Sequence, residues 1–178
     1  MNESSPYRTP SFGDQPSLPP ELEADVKGLQ IVTLGLMVGP VLFMGVALSA
    51  NKGELGSTPD VLSYVGIGVT VVDLALYLIL PDLVARQQRN AIELTESNKA
   101  IELDSYKQLF PVFRIRHIVA CALLEGAVFL NVIAYLLSKF AGNLAAAVFL
   151  LVVIALKWPT GEKVAVWLNN ALSLNDFS

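Results

Sequence analysis

Four stretches of this chain hold almost nothing that water would retain. No charged side chain occurs from Gly28 to Asn51, and none from Phe140 to Leu156. Asp73 is the single charge between Val61 and Pro81, and Glu125 the single charge between Ile118 and Ser138. A helix that crosses a bilayer needs about 20 mainly apolar residues, with roughly 17 as the lower limit. The first three runs reach that length, and the fourth reaches it with Lys157 snorkelling and Trp158 at headgroup level. Backbone polar groups in hydrocarbon must bond within their own segment, so each run is expected to be a helix. The sequence predicts an all-α integral membrane protein. Its four transmembrane helices form two hairpins, near residues 29–50, 61–81, 117–138 and 142–158.

Composition narrows the function classes. Only 16% of the 178 residues are charged, against about 25% in an ordinary soluble domain. Twelve Lys and Arg against sixteen Asp and Glu give a net charge of −4, which leaves no broad basic face for nucleic acid. One cysteine excludes an intrachain disulfide, and one histidine beside it excludes the usual zinc clusters. No GxSxG, HExxH or Walker-type loop occurs, and the Gly66–Ile67–Gly68 pair falls inside a predicted span. No catalytic residue, cofactor or metal centre is expected.

Basic residues orient the spans. Arg8, Lys27, Arg86, Arg89, Lys99, Lys107, Arg114, Arg116, Lys157 and Lys163 lie in the N-tail, the middle loop and the C-tail. The two short connections carry only Lys52 and Lys139. The excess places both termini in the cytoplasm of a multi-pass cell-membrane protein.

Residues 1–27, rich in Pro, Ser and acids, lack the layout of a signal peptide and are expected to be a disordered cytoplasmic tail. Residues 51–60 have the Gly, Ser and Pro content of a short external loop. Residues 82–116 read as a cytoplasmic connection: a helical continuation, a break near Thr95–Asn98, then a second short helix. Phe110, Val112 and Phe113 around Pro111, followed by Arg114 and Arg116, fit a chain lying in the headgroup layer. In residues 159–178, Val164, Trp167, Leu168, Ala171 and Leu172 form one helical stripe that Thr160 can cap. The expectation is an amphipathic helix resting on the cytoplasmic membrane surface.

Two features point to helix contacts. Residues 31–48 align without gaps to residues 118–135, with identities that include Gly39/Gly126. Such a repeat relates two hairpins about an axis along the membrane normal. Gly39 and Gly126, with Gly35 in a GxxxG spacing and Gly66 on the second span, become candidate helix-packing positions.

The intramembrane acids are the main candidate site, because a charge at a helix centre costs at least about 2.5–3.5 kcal/mol. Asp73 and Glu125 each stand eight residues from a predicted cytoplasmic helix end, about 12 Å inside it. Ser63, Gly66, Thr70, Asp73 and Tyr77 share one seam of the second span. On the third, His117, Cys121 and Glu125 recur every fourth residue, and Asn131 lies well around the helix. The candidate polar site is Asp73, Glu125, Thr70, Tyr77 and Asn131, with His117 read as a headgroup-level residue. The acids donate hydrogen bonds in their neutral form, or belong to a proton or ion path, or form the general acid and base of a membrane hydrolase, for which the sequence offers no nucleophile or metal motif.

The run RIRHIVACALLEGAVFLNVIAYLL, followed by an apolar helix and KWPTGEKVAVWL, resembles a family of small uncharacterised bacterial four-helix integral membrane proteins. The resemblance covers about residues 105–170. Its motif positions are Glu125, Gly126, Phe129, Asn131, Tyr135, Pro159, Thr160 and Trp167. It implies the topology and no activity. The functional expectation is a non-enzymatic structural or interaction component, whose partners are the lipid bilayer and a second copy or another membrane subunit. The alternative is a small proton- or cation-conducting protein using Asp73 and Glu125.

Overall fold

The structure is a computed structural model that describes residues 18–93 and 102–173, with side chains over 18–88 and 106–172. Among these residues the chain is all-α. The order is α1 (Pro20–Ala50), α2 (Val61–Glu93), α3 (Glu102–Ser138), α4 (Ala141–Leu156) and α5 (Gly161–Ser173). Helices α1, α2 and α3 are each long and apolar enough to cross a membrane. Helix α4 has 16 residues and meets α5 at a 70° bend.

Helix α3 is the hub. It packs against α1, α2, α4 and α5, whereas α1 and α2 do not touch each other among the described residues. Helices α3 and α4 form a tight hairpin, but α1 and α2 are splayed to different sides of α3. The main core is built around α3 by Leu124, Val128, Val132 and Tyr135, against Ala47 of α1 and Ala147, Leu150 and Ile154 of α4. Outward faces are apolar: Ile31, Leu42, Val61 and Leu78 are among the most exposed side chains. An apolar core inside an apolar surface suits a lipid solvent, which gives no reason to turn Leu or Val inward.

The connection 51–60 is fastened to the α3–α4 turn. Gly56 N–H donates to Lys139 O at 2.7 Å, and Ala141 N–H donates to Gly56 O at 3.0 Å. Asn51 Nδ2 donates to Tyr135 O at 3.1 Å, Tyr135 hydroxyl donates to Glu54 O at 2.9 Å, and Lys139 pairs with Glu54.

Four expectations change at the other end. Helix α1 begins at Pro20, with proline at its first position where a missing N–H costs nothing. Residues 20–27 are therefore helical, and Leu22 and Val26 are buried; residues 1–17 lie outside the described ones. Helix α2 continues past Pro81 to Glu93, whereas α3 is one helix from Glu102 through Pro111 in place of a separate short helix and a headgroup segment. The expected break at Thr95–Asn98 lies outside the described residues. Phe110, Val112 and Phe113 are buried in protein rather than set among headgroups.

The fourth change concerns α5. Its Val164, Leu168 and Ala171 pack against Leu22, Val26 and Leu29 of α1 and Leu109, Phe110 and Phe113 of α3 in a second core. The stripe covers protein because α1 and α3 overrun their apolar segments and present an apolar cleft to it. Trp167 meets Phe113 at 5.3 Å, Lys107 pairs with Glu21 at 2.9 Å, Tyr106 hydroxyl bonds Asn169, and Gln30 Nε2 donates to Pro159 O at 2.8 Å.

Candidate intramembrane polar site

Ser63, Gly66 and Thr70 line the face of α2 that meets α3 and α4, as their spacing predicts. Asn131 of α3 points into this face. Its Nδ2 donates to Thr70 Oγ1 at 2.6 Å, to Ala127 O at 2.8 Å and to Gly66 O at 3.2 Å. Thr70 hydroxyl donates to Gly66 O at 3.0 Å. Asn143 of α4 completes the junction: its Nδ2 reaches Asn131 Oδ1 at 3.1 Å and Ser63 O at 3.3 Å. These partners fix both amide orientations, since flipping either would set carbonyl oxygens against oxygens. Ser63, Asn131 and Asn143 are fully buried. Asn143 Oδ1 has no hydrogen-bond partner among the described residues, at a cost of about 1–3 kcal/mol. Asn143 was missed because one amide just after a turn reads as a loop boundary.

The close approach needs Gly66. A Cβ there would stand 2.6 Å from Asn143 Nδ2, 3.1 Å from Asn131 Oδ1 and 3.3 Å from Ala134 Cβ. Gly39 is the other contact glycine, where a Cβ would lie 3.6 Å from the Phe129 ring and 3.9 Å from Glu125 Oε1. Gly35 and Gly126 make no such approach: a Cβ at either would meet nothing within 4 Å. The aligned pair Gly39/Gly126 is therefore not equivalent, because α1 presents its glycine to α3 while α3 turns its own outward.

Asp73 and Glu125 do not join the junction or each other. Both are half-buried, and neither has a hydrogen bond or ion pair among the described residues. Glu125 faces Gly39 of α1, and Asp73 rides on α2, which α1 does not touch. Tyr77 also leaves the seam's network and lies under Lys157, whose Nζ is 5.3 Å from the ring centroid.

His117 is half-buried and packed among protein groups. Its ring stacks on Phe113 at 6.1 Å, and its Nε2 lies 2.9 Å from Thr33 Oγ1 and 3.6 Å from Cys121 Sγ. Thr33 hydroxyl donates to Leu29 O at 2.8 Å, so its oxygen is left to accept and Nε2 carries the proton. An Nε2 so occupied is no base for the Cys121 thiol. Among the described residues no three His, Cys, Asp or Glu side chains could hold a metal ion.

Asp60 caps the start of α2. Its Oδ1 accepts from Ser63 N–H and from Ser63 hydroxyl, both at 2.8 Å, and Ser63 Oγ stands 3.0 Å from Ser138 Oγ. The bonds from the Ser63 backbone and side chain hold the Asp60 carboxyl below its ordinary value of 3.8. A depressed pKa contributes stability that is present above the ordinary value and lost as pH falls through the folded one. Amide exchange at the α2 N-terminus is therefore expected to accelerate below pH 3.8, beyond the intrinsic pH dependence. In Asp60→Ala it should already be fast at neutral pH.

No protein-family model matches the chain, and neither a curated protein nor a solved structure is found to be similar to it.

Proposed function

We propose that this is a non-enzymatic integral membrane protein, four times across the bilayer with both termini in the cytoplasm, that serves as a component of a larger membrane assembly. Three long apolar helices support the spanning part. With Lys157 and Trp158 at its end, α4 supplies a short fourth crossing of about 24 Å. The ten-to-two distribution of basic residues supports the orientation.

The observation that carries the assembly reading is the pair of partnerless carboxyls. Carboxyls within spans are paired or face water-filled cavities. Asp73 and Glu125 have no partner within the described chain, and they stand on helices whose outward faces are apolar. A polar group on another subunit's helix completes each of them.

The test is crosslinking in native membranes. Asp73→Ala or Glu125→Ala should remove a crosslinked complex that the unaltered chain forms, while unfolding of the purified chain changes by less than about 1 kcal/mol. Identical complexes in all three proteins would overturn the reading. So would a pH-dependent current in liposomes that Glu125→Gln abolishes, which would assign the acids to a proton or cation path.

A further inference from the structure

At the end of the bundle where α4 stops, α2 and α3 enclose a cleft of about 150 Å³ lined by Tyr77, Asp82, Arg116, His117 and Lys157. Its donors are left over from the fold. Arg116 bonds Asp82 through Nε at 2.6 Å, which fixes the guanidinium plane and leaves both Nη groups without a partner among the described residues. Lys157 Nζ lies over the Tyr77 ring and has no acceptor there, and Tyr77 hydroxyl has no partner either. Lys157 is not needed at the α4 C-terminus, because Lys163 Nζ already donates to Leu156 O and Trp158 O, each at 3.1 Å. The single acid, Asp82, is paired with Arg116, so among the acidic, Lys and Arg side chains of the lining Lys157 is one positive charge in excess.

We propose that this cleft binds a phosphate group, between Arg116 Nη, Lys157 Nζ and the Tyr77 hydroxyl. One net positive charge matches the single charge of a phosphodiester, and the Arg fork suits two of its oxygens. The inference rests on the membrane placement proposed above: Tyr77 is one turn inside Pro81 and Trp158 adjoins Lys157, which sets the cleft at the headgroups. Basic pockets between spans at the cytoplasmic face take anionic headgroups. A free phosphate compound offers the same chemistry, and the experiment separates the two.

The full chain is purified in an uncharged maltoside detergent and titrated with phosphatidylglycerol or phosphatidylcholine, and retained lipid is read by native mass spectrometry. The unaltered chain should keep phosphatidylglycerol. Lys157→Gln and Arg116→Gln should each weaken that retention roughly tenfold, the effect of one charge-assisted hydrogen bond, and Lys157→Arg should restore it. Phosphatidylcholine should bind weakly throughout, because its choline meets two cations. Displacement by millimolar inorganic phosphate would support the cleft with a soluble phosphate compound as its source, and persistence would support the lipid. Equal phosphatidylglycerol retention by the unaltered chain and both Gln variants, each folded and monodisperse, would overturn the proposal. Recovery of the chain from the soluble fraction without detergent would instead remove the membrane placement. Protection by inorganic phosphate that Lys157→Gln abolishes would then support the cleft alone, and its absence would sink it.

Discussion

Gly66→Ala is expected to destabilise the bundle by about 1–3 kcal/mol, while Gly68→Ala, two residues on, leaves stability unchanged or slightly higher. The two glycines share one helix and differ in what they face. A methyl at position 66 enters space held by the Asn143 amide at 2.6 Å, and that amide is bonded to Asn131 and Ser63. Relief means pushing α4 away or breaking those bonds. At position 68 an added Cβ meets nothing within 4 Å, so the intrinsic preference of alanine for helix decides. Unfolding in mixed detergent micelles measures both, and equal midpoints would show that the junction does not close around Gly66. Asn131→Leu should act on the same junction with a smaller loss of about 0.6–1.7 kcal/mol, the range for polar contacts between spans.

Leu168→Ala should release α5. Leu168 is fully buried, and truncating a buried leucine costs about 2–5 kcal/mol. The loss falls on a 13-residue helix that is too short to persist alone in water. Amide exchange across 161–172 is expected to rise by orders of magnitude while exchange in the core of α3 holds. Unchanged protection of α5 would mean that it is held by lipid or detergent and not by Leu22, Leu29 and Phe113.

The long apolar helices were readable because hydrocarbon excludes charge, a rule that acts residue by residue. The seam of Ser63, Gly66 and Thr70 was readable because helical spacing fixes a common face. Which of the five seam residues would find partners was not: Thr70 meets Asn131, whereas Asp73 and Tyr77 do not, and only the position of α3 decides that. The start of α3 was misread as a short helix and a headgroup segment before residue 117, since a proline such as Pro111 removes one hydrogen bond that a long, otherwise supported helix survives. The stripe of α5 was visible, but an apolar stripe has the same form whether lipid or protein covers it. The partner surface depended on α1 and α3 overrunning their apolar runs, which their charged flanks concealed.

The central place of α3 bears on biogenesis. In the proposed membrane placement, a ribosome that has delivered α1 and α2 has made two helices that share no contact among the described residues, so each waits in the bilayer for a docking face. Emergence of α3 supplies the docking faces for both, and α5, made after them, then clasps the entry ends of α1 and α3. A chain that terminates prematurely after Glu93 would leave two unassociated segments for quality-control proteases to remove.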